Sequence, residues 1–146
     1  MKIFISSTGL YIPPRIETNN EISSRIGKSE DWIEKKSGVL ERRVSDIDVD
    51  AMGAIAGKNA LGKNNRPDLI INASGVPKQA IPDTSIFFQK EMGFEGIPSF
   101  SVHATCLSFL VALNIHNHVL KDVLIPPLYG SEKSGIKIGR FIFKTS

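Results

Sequence analysis

The stretch Asp68-Leu69-Ile70-Ile71-Asn72-Ala73-Ser74 restricts the possible folds of this sequence more than any other. A strand with one wet face alternates apolar and polar residues. A near-continuous apolar run is the mark of a strand covered on both faces, with helices on each side of a largely parallel sheet. The surrounding pattern agrees, because short apolar strands alternate with helical stretches in the manner of an α/β protein.

The helices are marked by their ends. Thr18 or Asn19 can cap a helix that runs to about Ile26 and stops at Gly27. Ser29 can cap a second helix, 30–37, with Glu30 and Asp31 in its first turn and Lys35 and Lys36 in its last, the order that suits the helix dipole. Gly38 stands at its C-terminal side. A third helix, rich in Ala and Gly, is expected from about Val49 to Leu61, and a fourth over 84–92, closed by Gly93. Strands are expected at 2–6, 99–103 and 123–125, and extended chain at 39–44. Gly9 and Pro13-Pro14 are expected to break the chain after the first strand.

Strand 99–103 leads through Ala104 and Thr105 into a helix expected from Cys106 to about Leu120. Its residues Leu107, Phe109, Leu110, Val111, Leu113 and Ile115 are apolar nearly all round, which predicts a central, buried helix. The only cysteine therefore stands at a helix start. There, unpaired N–H groups and the helix dipole would favour the thiolate, the species that accepts an acyl group from a thioester. Cysteine also packs as a small inert hydrophobe, and both readings remain open on this pattern alone. A lone cysteine cannot form an internal disulfide. His103, three residues before Cys106, is a weak candidate for a base; His116 and His118, two apart, face different sides of a helix and do not suit a metal pair.

The net charge of +3 is mild, and the basic residues are neither blocked nor interleaved with aromatics, which argues against nucleic acid as the main partner. Acidic partners such as a phosphorylated cofactor or a carrier protein remain compatible with it. No apolar run reaches the roughly 18 residues of a membrane span, and the apolar start at Met1–Ile5 is too short for a signal peptide, so a cytoplasmic protein is expected.

Several stretches, in order, resemble the β-ketoacyl-ACP synthase III family of thiolase-like condensing enzymes. Gly9-Leu10-Tyr11-Ile12-Pro13-Pro14 with Thr18-Asn19-Asn20-Glu21-Ile22 resembles its opening. Ser29-Glu30-Asp31-Trp32-Ile33 with Ser37-Gly38-Val39-Leu40-Glu41-Arg42-Arg43 resembles its Asp-Trp-Ile helix and Gly-Ile-x-Glu-Arg-Arg segment. Pro82-Asp83-Thr84-Ser85 resembles a helix start after the buried strand, and Ala104-Thr105-Cys106-Leu107-Ser108-Phe109 resembles the nucleophile motif.

The resemblance spans about 1–125 and implies the N-terminal half of a thiolase-like fold: a mixed sheet with helices and a central nucleophile helix. It implies that Cys106 takes an acyl group from acyl-CoA and that malonyl-ACP then condenses with it, losing carbon dioxide, with no tightly bound cofactor and no metal. Trp32 matches the tryptophan that stacks on the CoA adenine. Lys36 stands where an arginine usually holds the nucleotide end, and it keeps the charge without the planar fork. Ile81 matches a position, often phenylalanine, on a dimer loop that lines the partner's acyl pocket. Acyl carrier protein, and either a homodimer or pairing with a second half, are the implied partners.

The resemblance also implies what is not encoded here. The family's histidine and asparagine that bind the thioester carbonyl come from a second half, so the chain reads as truncated, with a divergent tail at 126–146. In that tail, Ile136 and Ile138 alternate and then shift phase to Phe141 and Phe143, a poor single strand without a bulge at Gly139. Gly130 and Gly135 have the spacing of a phosphate loop, but Ile136 stands where lysine is required.

Overall fold

In a computed structural model of the chain, residues 3–62, 65–75, 77–119, 122–128 and 138–145 are described. The buried run forms strand β4 (Leu69–Ser74), and every one of its residues is buried. It pairs in parallel with β5 (Ser99–Ser101) on one side and with β6 (Val123–Ile125) on the other. β7 (Pro127–Leu128) continues beside the end of β4. The sheet is completed by β1 (Ile3–Tyr11) and β8 (Ile138–Thr145), in the order β1-β8-β6-β4-β5, with β8 antiparallel to both neighbours. The sheet is therefore mixed, as expected.

Alternate residues of β4 and β6 feed two cores. Ile70 and Leu124 join Ala54, Leu61, Phe88 and Met92 on one face. Those partners come from helices α3 (Val49–Leu61) and α4 (Thr84–Met92). Leu69, Ile71, Ala73, Val123 and Ile125 pack on the other face against Ala112 of helix α5 (Ser108–His116). Each fully buried large apolar side chain contributes on the order of 1.5–3 kcal/mol, so the strand's composition fixes its central place.

The helix-end signals hold. Helix α1 (Asn19–Ile26) is capped by Thr18, whose hydroxyl accepts from the Glu21 N–H while the Glu21 carboxylate accepts from the Thr18 N–H. Helix α2 (Glu30–Ser37) is capped by Ser29 and ends at Gly38, whose φ of 66° is left-handed backbone that favours glycine. Helix α1 packs on a separate antiparallel pair, β2 (Arg15–Thr18) with β3 (Glu41–Val44), and α2 packs on α1. β2 escapes a sequence reading because Ile16 is exposed and Glu17 is buried, the reverse of the usual order. Arg25 donates to Glu17 at 2.9 Å, and this bond holds the Glu17 carboxyl below the ordinary carboxylate range against the cost of burial.

Two expectations are corrected. The first strand does not stop before Gly9 but runs through it to Tyr11. A β-carbon on Gly9 would collide with the backbone of Ala56 and Ala60, so glycine here permits close packing of β1 on α3 and does not end the strand. In the C-terminal segment, β8 is a single strand and pairs without a bulge at Gly139. The register of β1 slips between Ile5 and Ser7, leaving Gly139 regularly opposite Leu10. Gly130, Gly135 and Ile136 lie outside the described residues.

Candidate functional site around Cys106

β5 ends at Ser101, and the chain is guided onward by Val102, whose N–H donates to the Asn72 carbonyl at 2.8 Å. His103 is turned aside, its Nδ1 3.2 Å from the Ser74 carbonyl oxygen. Ala104 then leads into a 3-10 turn, Thr105–Leu107, closed by Leu107 N–H to the Ala104 carbonyl at 3.0 Å. Thr105 has a φ of 49°, the only non-glycine in the left-handed region among the described residues. Such a conformation persists only where surrounding contacts enforce it.

Those contacts come from Ser108. Its fully buried hydroxyl accepts from the Ala104 N–H at 2.9 Å and donates to the Thr105 carbonyl at 2.8 Å. The serine staples the turn to the first residue of α5. Cys106 sits at the crest of that turn, and it is exposed. Sequence reasoning placed Ser108 in the motif without giving it this task; a hydroxyl residue two positions after the cysteine was the available signal.

The helix itself differs from expectation in three ways, one being that it ends at His116 and not near Leu120. It starts at Ser108, after the 3-10 turn, and not at Cys106. It is also not buried all round. Ser108, Ala112 and His116 face the sheet, while Leu107 and Leu110 are 58% and 59% exposed and Val111 is exposed with them. The sheet covers one face of the helix, and the apolar residues on its other face meet solvent. His116 is fully buried, and this burial lowers its pKa, partly offset by Asp122. His118 is exposed with its Nδ1 2.9 Å from the Asn114 carbonyl, so the two histidines do face different sides.

The remaining candidates lie apart from Cys106 in the chain's architecture. Trp32 and Lys36 sit one turn apart on α2, both exposed, while Ile33 is buried. Lys28 lies over the Trp32 ring, 5.7 Å from its centroid. Ile81 belongs to the connection between β4 and α4 and is 86% exposed, before a cis Ile81–Pro82 bond. That connection meets the Cys106 turn at its start: a β-carbon on Gly75 would lie 3.9 Å from the Thr105 carbonyl oxygen. Among the described residues, no group of three or more His, Cys, Asp or Glu is arranged to hold a metal ion. Likewise, no helix among them is long and apolar enough to cross a membrane.

Comparison with known proteins adds to this geometry. The chain is 31% identical over 145 residues to the β-ketoacyl-[acyl-carrier-protein] synthase III of Pasteurella multocida, a match that takes in 95% of this chain and 44% of that protein. It is 36% identical over 125 residues to the protein of the same name from Clostridium botulinum, over 82% of this chain and 38% of the other. The crystal structure of 3-oxoacyl-[acyl-carrier-protein] synthase III from Aquifex aeolicus superposes with a TM-score of 0.86 at 26% identity, over 99% of this chain and 54% of that one. No protein-family model matches the chain. The chain thus spans less than half the length of these curated relatives.

Proposed function

From a chain that is a relative of β-ketoacyl-ACP synthase III, thiolase-like in fold and matching its N-terminal half, we propose that Cys106 is an acyl-accepting nucleophile for acyl-CoA. The observation that carries the reading is the exposed thiol on the crest of a turn that Ser108 holds from below. A thiolate there attacks the thioester carbonyl. The new sulfur–carbon bond forms, the carbon–sulfur bond to CoA breaks, and CoA leaves as its thiolate to take up a proton.

In the full reaction of decarboxylative condensation, malonyl-ACP loses carbon dioxide. The carbanion so formed makes a carbon–carbon bond to the acyl carbonyl and expels the Cys106 thiolate, which is thereby regenerated. By resemblance that step draws on a histidine and an asparagine of a second half. We therefore assign the first, acyl-transfer step to this chain and the condensation to its pairing with a second half. Trp32 and Lys36 are assigned to the adenine and phosphate end of CoA. Ile81 is assigned to an acyl-pocket loop shared across a homodimer, and acyl carrier protein is the second substrate's carrier.

The test is to incubate the chain with acyl-CoA and read intact mass and peptide maps. The expected result is one acyl adduct on Cys106, absent in Cys106→Ala, with no carbon dioxide released from malonyl-ACP. An adduct that survives Cys106→Ala, or none at all on an alkylatable Cys106, overturns the proposal; condensation by the chain alone overturns the need for a second half.

A second reading rests on the exposed apolar face of Leu107, Leu110 and Val111. In it the chain is non-catalytic and binds a full-length synthase or other partner chain through such surfaces. Acylation of Cys106 separates the two.

A further inference from the structure

Thr105 is an improbable residue for its place. Its φ of 49° is left-handed backbone, where a β-branched side chain is a true outlier and glycine is the ordinary choice. Left to itself, threonine abandons that region, so something must hold it there. The Thr105 carbonyl accepts from the Ser108 N–H and also from Ser108 Oγ, the latter at 2.8 Å. The same hydroxyl accepts from the Ala104 N–H at 2.9 Å. One oxygen atom therefore grips the chain before and after Thr105.

That grip has a firm base. Ser108 is fully buried, so water does not compete for either bond. It opens α5 on the face that meets the sheet, one turn before Ala112, which packs on Ile71, Ala73, Val123 and Ile125. The turn above it has no such support, because Thr105, Cys106 and Leu107 are all exposed. Among the described residues nothing is bonded to the Cys106 thiol, so the backbone beneath it sets its direction. The conformation of that backbone rests in turn on Thr105, and Thr105 rests on the serine.

We infer that Ser108 is a positioning residue: by holding Thr105 left-handed, its hydroxyl keeps the Cys106 thiol turned outward for attack. In its bearing on acyl-CoA the inference rests on the acyl-transfer reading, and the test includes a probe that does not. That probe is iodoacetamide, whose iodide the Cys106 thiolate displaces, with labelling of the full chain read by mass. Acylation is followed in parallel over a range of acyl-CoA concentrations, which separates the limiting rate from the half-saturating concentration. The strong amide-to-Hα contact within Thr105, a nuclear magnetic resonance signature of positive φ, reports the turn itself. The variants are Ser108→Ala, Thr105→Gly/Ser108→Ala and, as a control that loosens α5 without touching the hydroxyl, Ala112→Gly.

Ser108→Ala should weaken the Thr105 signature and slow both alkylation and the limiting acylation rate by about tenfold, with the half-saturating acyl-CoA concentration unchanged. Thr105→Gly/Ser108→Ala should return both rates to within about twofold of wild type, because glycine holds the left-handed turn without the hydroxyl. Ala112→Gly should keep wild-type rates. A folded Ser108→Ala chain with unchanged rates overturns the inference, as does one in which only the half-saturating concentration moves. Equal slowing in Ala112→Gly also overturns it, since the effect would then be general loosening of the helix. If Ser108→Ala does not fold, the double variant decides: wild-type rates support the inference, and a slow or unfolded double variant overturns it. Failure of acyl-CoA to modify the wild-type chain overturns the acyl-transfer reading and leaves the iodoacetamide series to decide this one.

Discussion

Gly9 in β1 and Ala60 in α3 meet backbone to backbone, so that a β-carbon on Gly9 would lie 2.9 Å from the Ala60 Cα and closer still to its nitrogen. Backbone cannot rotate out of the way as a side chain does. Gly9→Ala must push α3 off the sheet, and a loss of about 1–3 kcal/mol or more is expected, as for overpacked cores. Urea denaturation followed by circular dichroism measures it. A variant as stable as the wild type would mean that the helix seats elsewhere.

His116 gives the fold a pH dependence of known sign. Burial lowers its folded-state pKa, with Asp122 pulling partly the other way. The folded state therefore binds less proton than the unfolded one. The stability so gained is complete above the ordinary histidine value, about 6.5. It is lost as pH falls from there through the folded value. The melting temperature should drop on acidification between about pH 7.5 and 5, and His116→Leu should flatten that slope. An identical slope in both proteins would remove His116 from the account.

Trp32 and Lys36, one turn apart on α2, are expected to bind the nucleotide end of acyl-CoA. Trp32→Ala and Lys36→Ala should each weaken acyl-CoA binding by about fivefold, read by calorimetry. They should leave the affinity for acyl-pantetheine, which lacks the nucleotide, unchanged. Lys36→Arg should bind at least as tightly as the wild type, because the fork adds donors. Equal losses for both ligands would place the residues in a structural role.

On the proposed assignment to an acyl pocket, Ile81 would help to set that pocket's size. Ile81→Phe should shift Cys106 acylation towards shorter acyl-CoA donors, by a factor of about ten for the longest chains tried. Competition between donors of different length, read by mass, checks this. An unchanged profile would dissociate Ile81 from chain length.

Leu110 stands most exposed on the outer face of α5, beside Leu107 and Val111. An apolar face of this kind drives association. Leu110→Asp should shift the chain towards monomer in sedimentation and should weaken its binding to an added second half. If association is the same in the variant, another surface is responsible.

Much of this arrangement was legible beforehand, for reasons that differ from element to element. The caps at Thr18 and Ser29 and the glycines at 27, 38 and 93 act within a few residues, so α1, α2 and the end of α4 could be bounded from local chemistry. The run in β4 announced burial on two faces because no polar alternation was available to expose either. The misreadings share a cause in distant contacts. Gly9 looked like a breaker until α3 was laid against it. Gly139 looked like a bulge from its local pattern, whereas the slip found lies in the partner strand, between Ile5 and Ser7. The apolar ring of α5 looked buried because hydropathy registers composition and not what is there to cover it. Cys106 was singled out as a candidate by its position between strand and helix, while the Ser108 staple emerges only once the turn is folded.

The sheet order carries a consequence for how the chain assembles. Among the described residues the only strand next to β1 is β8, with Ile3 opposite Thr145. During vectorial synthesis the opening segment emerges from the ribosome long before its neighbour exists. Its outward amides have water, a chaperone or another nascent chain for company in that interval. Until β8 is made, the β1 segment is thus open to pairing with the wrong molecule.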